Sequence, residues 1–250
     1  NMQQALDSQC FEMVLQPKMN LQTNSVIAAE ALVRWRLEDG TYLPPSSFVD
    51  IFEKNRFCSK LDFYMLKKAI QQIRKWIDMG INPVNISVNQ SKIVFYHENY
   101  ISELKSLLEE YNVSGSYITL EVLESTVIED IDIFNSILTE VKKLGFSVSL
   151  DDFGSGYSSL NVLSKLQIDE LKIDRIFLHT KSEVDNQRIK WILESIIDIA
   201  KKSQILVVVE GVESKQDDLF IKNLGADVGQ GYFYGRPLSI SAFNDLIETK

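Results

Sequence analysis

Short apolar runs alternate with longer amphipathic segments along the chain. The runs have the length and residue types of buried strands, and the segments between them repeat apolar residues at helical spacing. The pattern predicts strands at Phe11–Gln16, Val26–Trp35, Val84–Asn89, Ile118–Glu124, Ser147–Asp152, Glu170–Asp174, Ile205–Gly211 and Ala226–Gly231. It predicts helices at Leu61–Met79, Tyr100–Tyr111, Ile131–Leu144, Asp185–Lys202, Ser214–Leu224 and Ile240–Glu248, and a short helix over Tyr157–Leu166. Such alternation is typical of an α/β fold with a largely parallel sheet.

The eight predicted strands favour a (β/α)8 TIM-like barrel. The connection between the first two strands, Pro17–Ser25, is too short for a parallel crossover, which needs about a dozen residues or more. We therefore expect an antiparallel first strand. An open doubly wound sheet is the alternative, but the glycine-rich loop that usually follows the first strand of that fold is missing from this sequence.

The net charge limits the classes of partner that the chain is expected to bind. The 250 residues carry 26 basic and 35 acidic side chains, which gives a net charge of −9. An acidic chain without a basic block argues against binding to polymeric nucleic acid or to a membrane surface. The sequence has no apolar stretch long enough to span a bilayer. Its two cysteines, Cys10 and Cys58, are too few for a disulfide scaffold and favour a cytoplasmic setting.

The pattern continues without a linker or a low-complexity tract. We therefore expect a single domain over residues 1–250. The first residues, MQQALDSQ after Asn1, have the composition of the end of a helix. This start indicates a domain taken from a larger protein.

Charged and amide residues recur where the predicted strands end. In a barrel of this kind the chemistry lies at the carboxyl ends of the strands. Strands normally avoid charge, yet carboxylates stand inside the apolar runs AAEAL, TLEVL and VVVEGVE. The candidate site residues are Gln16, Glu30, Arg34, Asn89, Glu121, Glu124, Asp151, Asp152, Lys172, Asp174, Glu210, Glu213 and Gln230.

These candidates are mainly hard oxygen donors. Such donors suit Mg²⁺, Mn²⁺ or Ca²⁺, and clustered carboxylates need cations to offset their mutual repulsion. Two metal ions bridged by one carboxylate are the usual arrangement in phosphodiester hydrolysis. The adjacent pair Asp151 and Asp152 suits this role if the chain turns at the strand end, although Asp-Asp before Phe-Gly-Ser-Gly is also typical of an ordinary turn. His97 and His179 lie away from the strand ends, so zinc chemistry is not expected.

Two basic residues have both a functional and a structural interpretation. Lys172 could orient the attacking water or stabilise charge on a phosphate, or it could form a structural ion pair with Asp174 or another acid. Arg34 could bind a phosphate or a carboxylate through its planar guanidinium, or it could pair with a neighbouring acid.

Several motifs follow one another in a characteristic order over nearly the whole chain. They are Gln16-Pro17, Glu30-Ala31-Leu32 within AAEALVRW, Pro45 to Phe48, Ser87-Val88-Asn89, Glu121 to Ser125, Asp151 to Leu160, Leu171 to Asp174, Glu210 to Glu213 and Gln230 to Tyr232. On these motifs the sequence resembles the EAL-domain cyclic-di-GMP phosphodiesterases of bacteria. The resemblance implies a barrel with an antiparallel first strand, and hydrolysis of cyclic-di-GMP to the linear dinucleotide with two Mg²⁺ or Mn²⁺ ions.

The resemblance also implies a role for each candidate residue. Glu30, Asn89, Glu121 and Asp151 would hold the first metal ion, while Asp151, Asp152 and Glu210 would hold the second. Lys172 would act on the nucleophilic water, and Gln230 would complete the shell of water and ligands. The residues implied to bind the substrate are Gln16, Arg34, Asp174 and Glu213. Glu124 would brace the loop Phe153–Ser159, which links the active site to a dimer interface in this family.

The implied partners are cyclic-di-GMP, a second copy of the chain in a homodimer, and further signalling domains such as GGDEF or sensory domains. Any tether to the inner membrane would lie in segments outside these residues. Three positions depart from the usual pattern of the family, namely Leu123 and Ser155, where threonine is usual, and Val209, where alanine is common. None of the three is a proposed ligand, but Leu123 removes a hydroxyl beside the Glu124 brace.

Two other functions are compatible with parts of the sequence. A module that binds cyclic-di-GMP without cleaving it is one, although such modules usually lack one or more of the metal-site acids that are present here. A barrel glycosidase with two carboxylates is the other. The glycosidase hypothesis does not account for the asparagine, lysine and glutamine at the strand ends.

Overall fold

The computed structural model describes residues 2–124, 131–154, 160–178 and 183–248, and the side chains of residues 50, 53, 160–162 and 183–186 are not among those described. The strands are β1 Phe11–Asn20, β2 Ser25–Arg36, β3 Tyr42–Leu43, β4 Asn85–Asn89, β5 Ile118–Leu123, β6 Ser147–Phe153, β7 Glu170–Ile173, β8 Leu206–Val209 and β9 Val228–Gln230. The helices are α1 Met2–Asp7, α2 Val49–Lys54, α3 Cys58–Asp78, α4 Lys92–Phe95, α5 Tyr100–Tyr111, α6 Ile131–Lys143, α7 Leu160–Lys165, α8 Glu183–Lys202, α9 Lys215–Leu224 and α10 Ile240–Glu248. Short 3-10 turns occupy Pro45–Ser47, Gly115–Tyr117 and Arg175–Phe177.

Eight of the strands close into a barrel. The ring runs β1-β2-β4-β5-β6-β7-β8-β9 and returns to β1, and β3 is attached outside the ring to β2. Strand β1 is antiparallel to both of its neighbours. The strands from β2 around to β9 are parallel to one another. The predicted TIM-like barrel with an antiparallel first strand is therefore confirmed, and the open sheet is wrong.

Strand β1 is longer than predicted. It continues through Pro17 to Asn20, so the turn to β2 comprises only residues 21–24. The backbone N–H of Leu15 donates to Leu238 on the edge of β1 away from β2, and alternate residues of a strand direct their N–H groups to the same edge. The nitrogen of Pro17 thus faces that edge, where β9 pairs only from Lys18 onward. Pro17 therefore interrupts no ladder bond, and the strand carries Lys18 into the barrel.

Side chains alternate between an apolar outer face and a polar interior along the barrel strands. The outward residues Leu120, Leu150 and Leu171 are fully buried beneath the helices, and the large apolar side chains of Trp76 and Phe134 pack in the same layer. The inward residues include Lys18, Ser87, Glu121, Ser149, Glu170 and Lys172, all of them buried. The main apolar core lies between strands and helices, and the middle of the barrel is ionic.

The predicted helices are present, and their described ends differ by at most a few residues; Tyr157 to Ser159 of the predicted short helix lie outside the described residues. Helix α9 begins at Lys215 because Ser214 is its N-cap, in a reciprocal capping box with Asp217. The elements β3, α2 and α4 were not predicted, because each spans only two to six residues and is too short to show a period. No helix in the described ranges is both long enough and apolar enough to cross a bilayer.

Candidate active site

The ammonium group of Lys172 lies at the centre of the strand-end carboxylates. Its Nζ is 2.8 Å from Glu210 Oε1 and 2.9 Å from Asp151 Oδ1. It is also 3.1 Å from Glu121 Oε2 and 3.4 Å from Glu30 Oε2. Four acids from strands β2, β5 and β6 and the end of β8 thus converge on one lysine of β7. The ion pairing considered for Lys172 is thus present among the described residues, with these four acids and not with Asp174.

A second buried lysine lies directly below the first. Lys18 is fully buried and contacts Glu121 Oε1 and Glu170 Oε1, each at 2.8 Å. It also donates a hydrogen bond to the Ser87 hydroxyl over 2.7 Å. Because Oε1 of Glu121 faces Lys18 and Oε2 faces Lys172, this carboxylate joins the two ammonium groups.

The acids of the cluster differ in the direction of their pKa shifts. Burial alone would raise the pKa of Glu121, but the charges of Lys172 and Lys18 outweigh it and lower that pKa to about 2. Burial raises the pKa of Asp151 to about 7 despite Lys172, and repulsion from Glu121 and Glu210 adds to the rise. Burial also raises the pKa of Glu30 and of Glu210. The site therefore holds more carboxylate than its own ammonium groups can neutralise.

A local distortion of β6 brings Asp151 and Asp152 to the same mouth. The register between β6 and β7 shifts between Leu150 and Phe153, and Asp152 takes a left-handed conformation with φ of 56°. Asp151, Asp152 and Glu210 each offer a carboxylate oxygen, and these three oxygens lie within 4.8 Å of one another. Burial and the adjacent Asp174 raise the pKa of Asp152. The strand-end turn on which the paired-aspartate hypothesis depended is present.

Two amide side chains hold Glu30 from opposite sides. Asn89 Nδ2 donates to Oε1 over 3.0 Å, and Gln230 Nε2 donates to Oε2 over 2.6 Å. Gln230 is buried, and its Oε1 accepts no hydrogen bond from the residues that the structure describes. A buried amide oxygen without a donor beside a group of carboxylates is a suitable ligand for a hard cation or for its bound water.

The charges of the whole network also fit cations. Among the described residues, five carboxylates pair with the two lysine ammonium groups, namely those of Glu30, Glu121, Asp151, Glu170 and Glu210. A sixth, that of Asp152, lies beside Asp151 and Glu210. Four negative charges remain uncompensated when all six are ionised. The donor set is oxygen throughout, which suits Mg²⁺ or Mn²⁺ better than zinc.

A cavity of about 190 Å³ opens beside this cluster. It is lined by Gln16, Glu30, Arg175, Glu210, Gly211, Glu213, Gln230, Gly231 and Tyr232. The Gln16 amide also donates to the backbone carbonyl of Gly235 over 3.3 Å. A Cβ atom on Gly211, whose φ is 69°, would lie 2.2 Å from the Arg175 side chain. Gly211 therefore allows Arg175 to approach the cavity.

The family model described as "EAL domain" matches residues 1–237. The chain belongs to the EAL domain family.

Its relatives include characterised and solved EAL proteins. The chain is 32% identical over 238 residues to the bifunctional diguanylate cyclase/cyclic di-GMP phosphodiesterase MucR of Pseudomonas aeruginosa, a match that covers 95% of this chain and 34% of that protein. It is 31% identical over 244 residues to the cyclic di-GMP phosphodiesterase PdeR of Escherichia coli, covering 97% and 36%. The solved structure described as the PaMucR phosphodiesterase in a c-di-GMP complex superposes with a TM-score of 0.88 at 32% identity and 97% coverage of both chains. This EAL domain spans about a third of the length of those curated relatives.

Asp174 and Arg34 are two further site residues that were predicted from the sequence of this EAL domain. Asp174 accepts a hydrogen bond from the Ile176 N–H over 2.7 Å and thereby caps a 3-10 turn. Arg34 is partly buried beside Tyr232 and Glu30, and burial lowers its pKa. Its guanidinium donates to the carbonyl of its neighbour Val33 and forms no ion pair with an acid of the described chain.

The remaining candidates concern the loop after β6. Glu124 is buried directly after β5, but residues 155–159 of the loop that it is expected to brace lie outside the described residues. The same holds for Ser155 and for His179. Leu123 is partly exposed at the barrel mouth, and His97 is half-exposed, 3.8 Å from Glu103.

Three residues near the EAL site were not predicted from the sequence. Lys18 and Glu170 are buried in the barrel, and Arg175 lines the cavity. Lys18 could have been found from strand alternation, since it shares a face with Gln16 two residues earlier. Arg175 begins the 3-10 turn two residues after the end of β7, and a turn carries no periodic signal.

Proposed function

We propose that this chain hydrolyses cyclic-di-GMP to the linear dinucleotide pGpG with the help of two divalent cations, Mg²⁺ or Mn²⁺. The observation that carries the proposal is the excess of carboxylates over ammonium groups in the strand-end network. When all six acids are ionised, two divalent cations would balance the remaining four negative charges. Membership of the EAL family supports the choice of substrate, because MucR and PdeR are named cyclic-di-GMP phosphodiesterases.

The assignment of ligands to the two cations follows from the family resemblance. Glu30, Asn89, Glu121 and Asp151 would hold one cation, and Asp151, Asp152 and Glu210 the other. When bound, such cations polarise a phosphoryl oxygen and lower the pKa of water. The free oxygen of Gln230 would complete the ligand shell.

Lys172 would act on the attacking water. Its ammonium contacts Asp151 and Glu210, and Glu210 lines the cavity. A buried cation there would orient the water and stabilise the charge that develops on the phosphate. A lysine suits this task because its three donors can be shared between acids, water and phosphate.

Substrate contacts would come from the cavity and its rim. Gln16 and Glu213 line the cavity. Arg34 lies on β2 near Glu30 and Tyr232, which line the cavity, and Asp174 directly follows β7. We add Arg175 to the phosphate contacts, because the net charge of −9 makes local basic groups necessary for an anionic substrate. Tyr232 lines the same cavity and is half-exposed, with the Arg236 guanidinium 4.3 Å from its ring centroid, and this aromatic side chain would contact a guanine base.

The proposal extends to partners and setting. The homodimer, the bracing of the loop by Glu124, and neighbouring GGDEF or sensory domains follow from the family resemblance. The greater length of the curated relatives supports the presence of additional domains. A cytoplasmic setting agrees with the free thiols of Cys10 and Cys58. Light scattering on the purified chain tests the dimer directly.

Incubation of the purified chain with cyclic-di-GMP and Mg²⁺ or Mn²⁺ tests the reaction, with the linear product followed by chromatography. We expect turnover that is lost on chelation and in Glu30→Ala, which should remain folded. The control is Glu109→Ala, a surface substitution on α5, which should retain activity. Tight cyclic-di-GMP binding without turnover would overturn the proposal in favour of a sensor module.

A further inference from the structure

The barrel interior contains a lysine with no direct access to the cavity. Lys18 has 0% exposure, and its three ammonium donors meet three acceptors, Ser87 Oγ at 2.7 Å, Glu121 Oε1 at 2.8 Å and Glu170 Oε1 at 2.8 Å. An ammonium group has three donors, so its hydrogen-bonding capacity is filled by this one arrangement. The position of Lys18 and of the oxygens around it is therefore tightly defined.

Glu121 connects Lys18 to the candidate active site. Its Oε1 is held by Lys18, and its Oε2 lies 3.1 Å from Lys172 among the acids assigned to the cations. A glutamate side chain has three rotatable bonds, and anchoring one carboxylate oxygen restricts the positions that the other oxygen can take. We propose that Lys18 is a positioning residue for cation binding, acting through Glu121. This inference rests on the proposed function.

Glu170 provides an internal comparison for this role. It contacts Lys18 from the opposite side, and its side chain is only slightly exposed, at 10%. A substitution at Glu170 disturbs the same buried ionic layer but retains the pair between Lys18 and Glu121. If Lys18 served stability alone, changes at Lys18 and Glu170 would have similar effects on cation binding. If Lys18 positions Glu121, only the loss of Lys18 weakens it.

The test uses two variants that lack Lys18 and one that retains it. Lys18→Met removes the ammonium and preserves much of the side-chain volume, but it leaves Glu121 and Glu170 buried without that cation. The double variant Lys18→Met with Glu170→Met removes one positive and one negative charge, which keeps the interior close to its original balance and guards against loss of folding. Glu170→Gln is the matched control.

Mn²⁺ binding to the cation-free protein is measured by calorimetry without substrate, together with the Mn²⁺ concentration for half-maximal turnover. We expect the Mn²⁺ dissociation constant to rise about 10–100-fold in both variants without Lys18, and to stay near the wild-type value in Glu170→Gln. In the turnover assay, the loss of Lys18 should raise the Mn²⁺ concentration for half-maximal turnover more than it lowers kcat at saturating Mn²⁺.

Wild-type Mn²⁺ affinity in the double variant would overturn the inference, as would an equal loss of affinity in Glu170→Gln. Both results leave the proposed function intact if the unchanged protein binds Mn²⁺ and cleaves cyclic-di-GMP. Absence of Mn²⁺ binding in the unchanged protein would overturn the proposed function and this inference together.

Discussion

The side-chain amide of Gln230 donates to the Glu30 carboxylate over 2.6 Å. The bond passes over β1, because Gln230 ends β9, Glu30 lies on β2, and β1 separates these two strands in the ring. It therefore fixes the orientation of a candidate cation ligand from a strand that is not its neighbour. The other oxygen of Glu30 is held by Asn89, so both oxygens have a defined direction before a cation binds.

Replacement of Gln230 by alanine should weaken the site without unfolding the barrel. The substitution removes the donor to Glu30 and the amide oxygen that has no other partner among the described residues. We expect turnover at limiting Mg²⁺ to fall about 10–100-fold, the usual effect of losing a group that orients a metal ligand. Gln22→Ala, in the exposed turn after β1, is the control. Unchanged turnover in Gln230→Ala would contradict the assigned role.

Two substitutions of Asp152 separate the effect of its charge from the effect of its backbone conformation. Its φ of 56° is readily adopted by asparagine and strains alanine. Asp152→Asn should therefore lose most of its turnover and keep or increase its thermal stability, because burial and Asp174 already raise the pKa of this carboxyl. Asp152→Ala should lose turnover and also about 1–2 kcal/mol of stability.

The measurements for this pair are the rate of product formation and the free energy of unfolding in urea. Equal stabilities of the asparagine and alanine variants would show that the left-handed conformation is not needed. Near-normal turnover in Asp152→Asn would remove Asp152 from the cation ligands.

Cation binding should strengthen as the pH rises through 7. Burial raises the pKa of Asp151 to about 7 in the absence of cations, and a protonated carboxyl cannot serve as an anionic ligand. Between pH 4 and 7 the folded state binds a proton at Asp151 that the unfolded state has lost. This group thus makes the cation-free protein less stable as the pH rises across that range.

The increase in Tm caused by Mn²⁺ should consequently be larger at pH 8 than at pH 6. Differential scanning fluorimetry with and without Mn²⁺ at the two pH values measures this directly. A Tm increase that is the same at both pH values would contradict the proton competition.

A buried acid outside the site should control the stability of the strand that carries Gln230. Asp218 is 1% exposed and contacts Lys215, Lys222 and Tyr234, each at 2.8 Å. Burial opposes its ionisation, but these three hydrogen bonds outweigh it and lower the pKa to about 2. The ring of Tyr234 in turn packs against Gly229 of β9, where an added Cβ would lie 2.6 Å from it.

Asp218→Asn should lower the free energy of unfolding at pH 7 by about 1–2 kcal/mol. Since the folded pKa is depressed, this stabilisation is fully present above about pH 4 and is lost as the pH falls toward 2. Urea unfolding at pH 7 and at pH 3 should thus show a smaller difference between the variant and the wild type at pH 3. Asp198→Asn, which removes a surface ion pair with Lys202, should change stability by less than about 1 kcal/mol at either pH.

The hydrophobic pattern predicted the barrel because each strand buries one continuous apolar face. The short connection after the first strand was sufficient to predict its direction, since chain length alone forbids a parallel crossover there. The end of that strand was wrong, because proline usually terminates a strand. Pro17 is an exception that depends on which edge its nitrogen faces, and this is a tertiary property.

The candidate site was visible from the sequence where it breaks the apolar pattern. Glu30 and Glu121 stand inside buried runs, where a carboxylate is costly unless a cation compensates for it. Lys18 was not predicted as a site residue, because the predicted first strand ended before it, at Gln16. The shared direction of Asp151 and Asp152 depends on a single left-handed residue, and neither propensity nor periodicity encodes such a dihedral angle.

The reversed first strand also has a consequence for folding during synthesis. The hairpin of β1 and β2 is local and can assemble as soon as the ribosome releases it, whereas β1 meets β9 only through Lys18–Asn20 and Val228–Gln230, some two hundred residues later. One edge of β1 must therefore remain open while most of the chain is made, and open edges invite aggregation. Proline and lysine are the residues that best discourage such pairing. Pro17 and Lys18 stand at that edge, so the charge that later lies inside the barrel also protects the nascent chain before the ring closes.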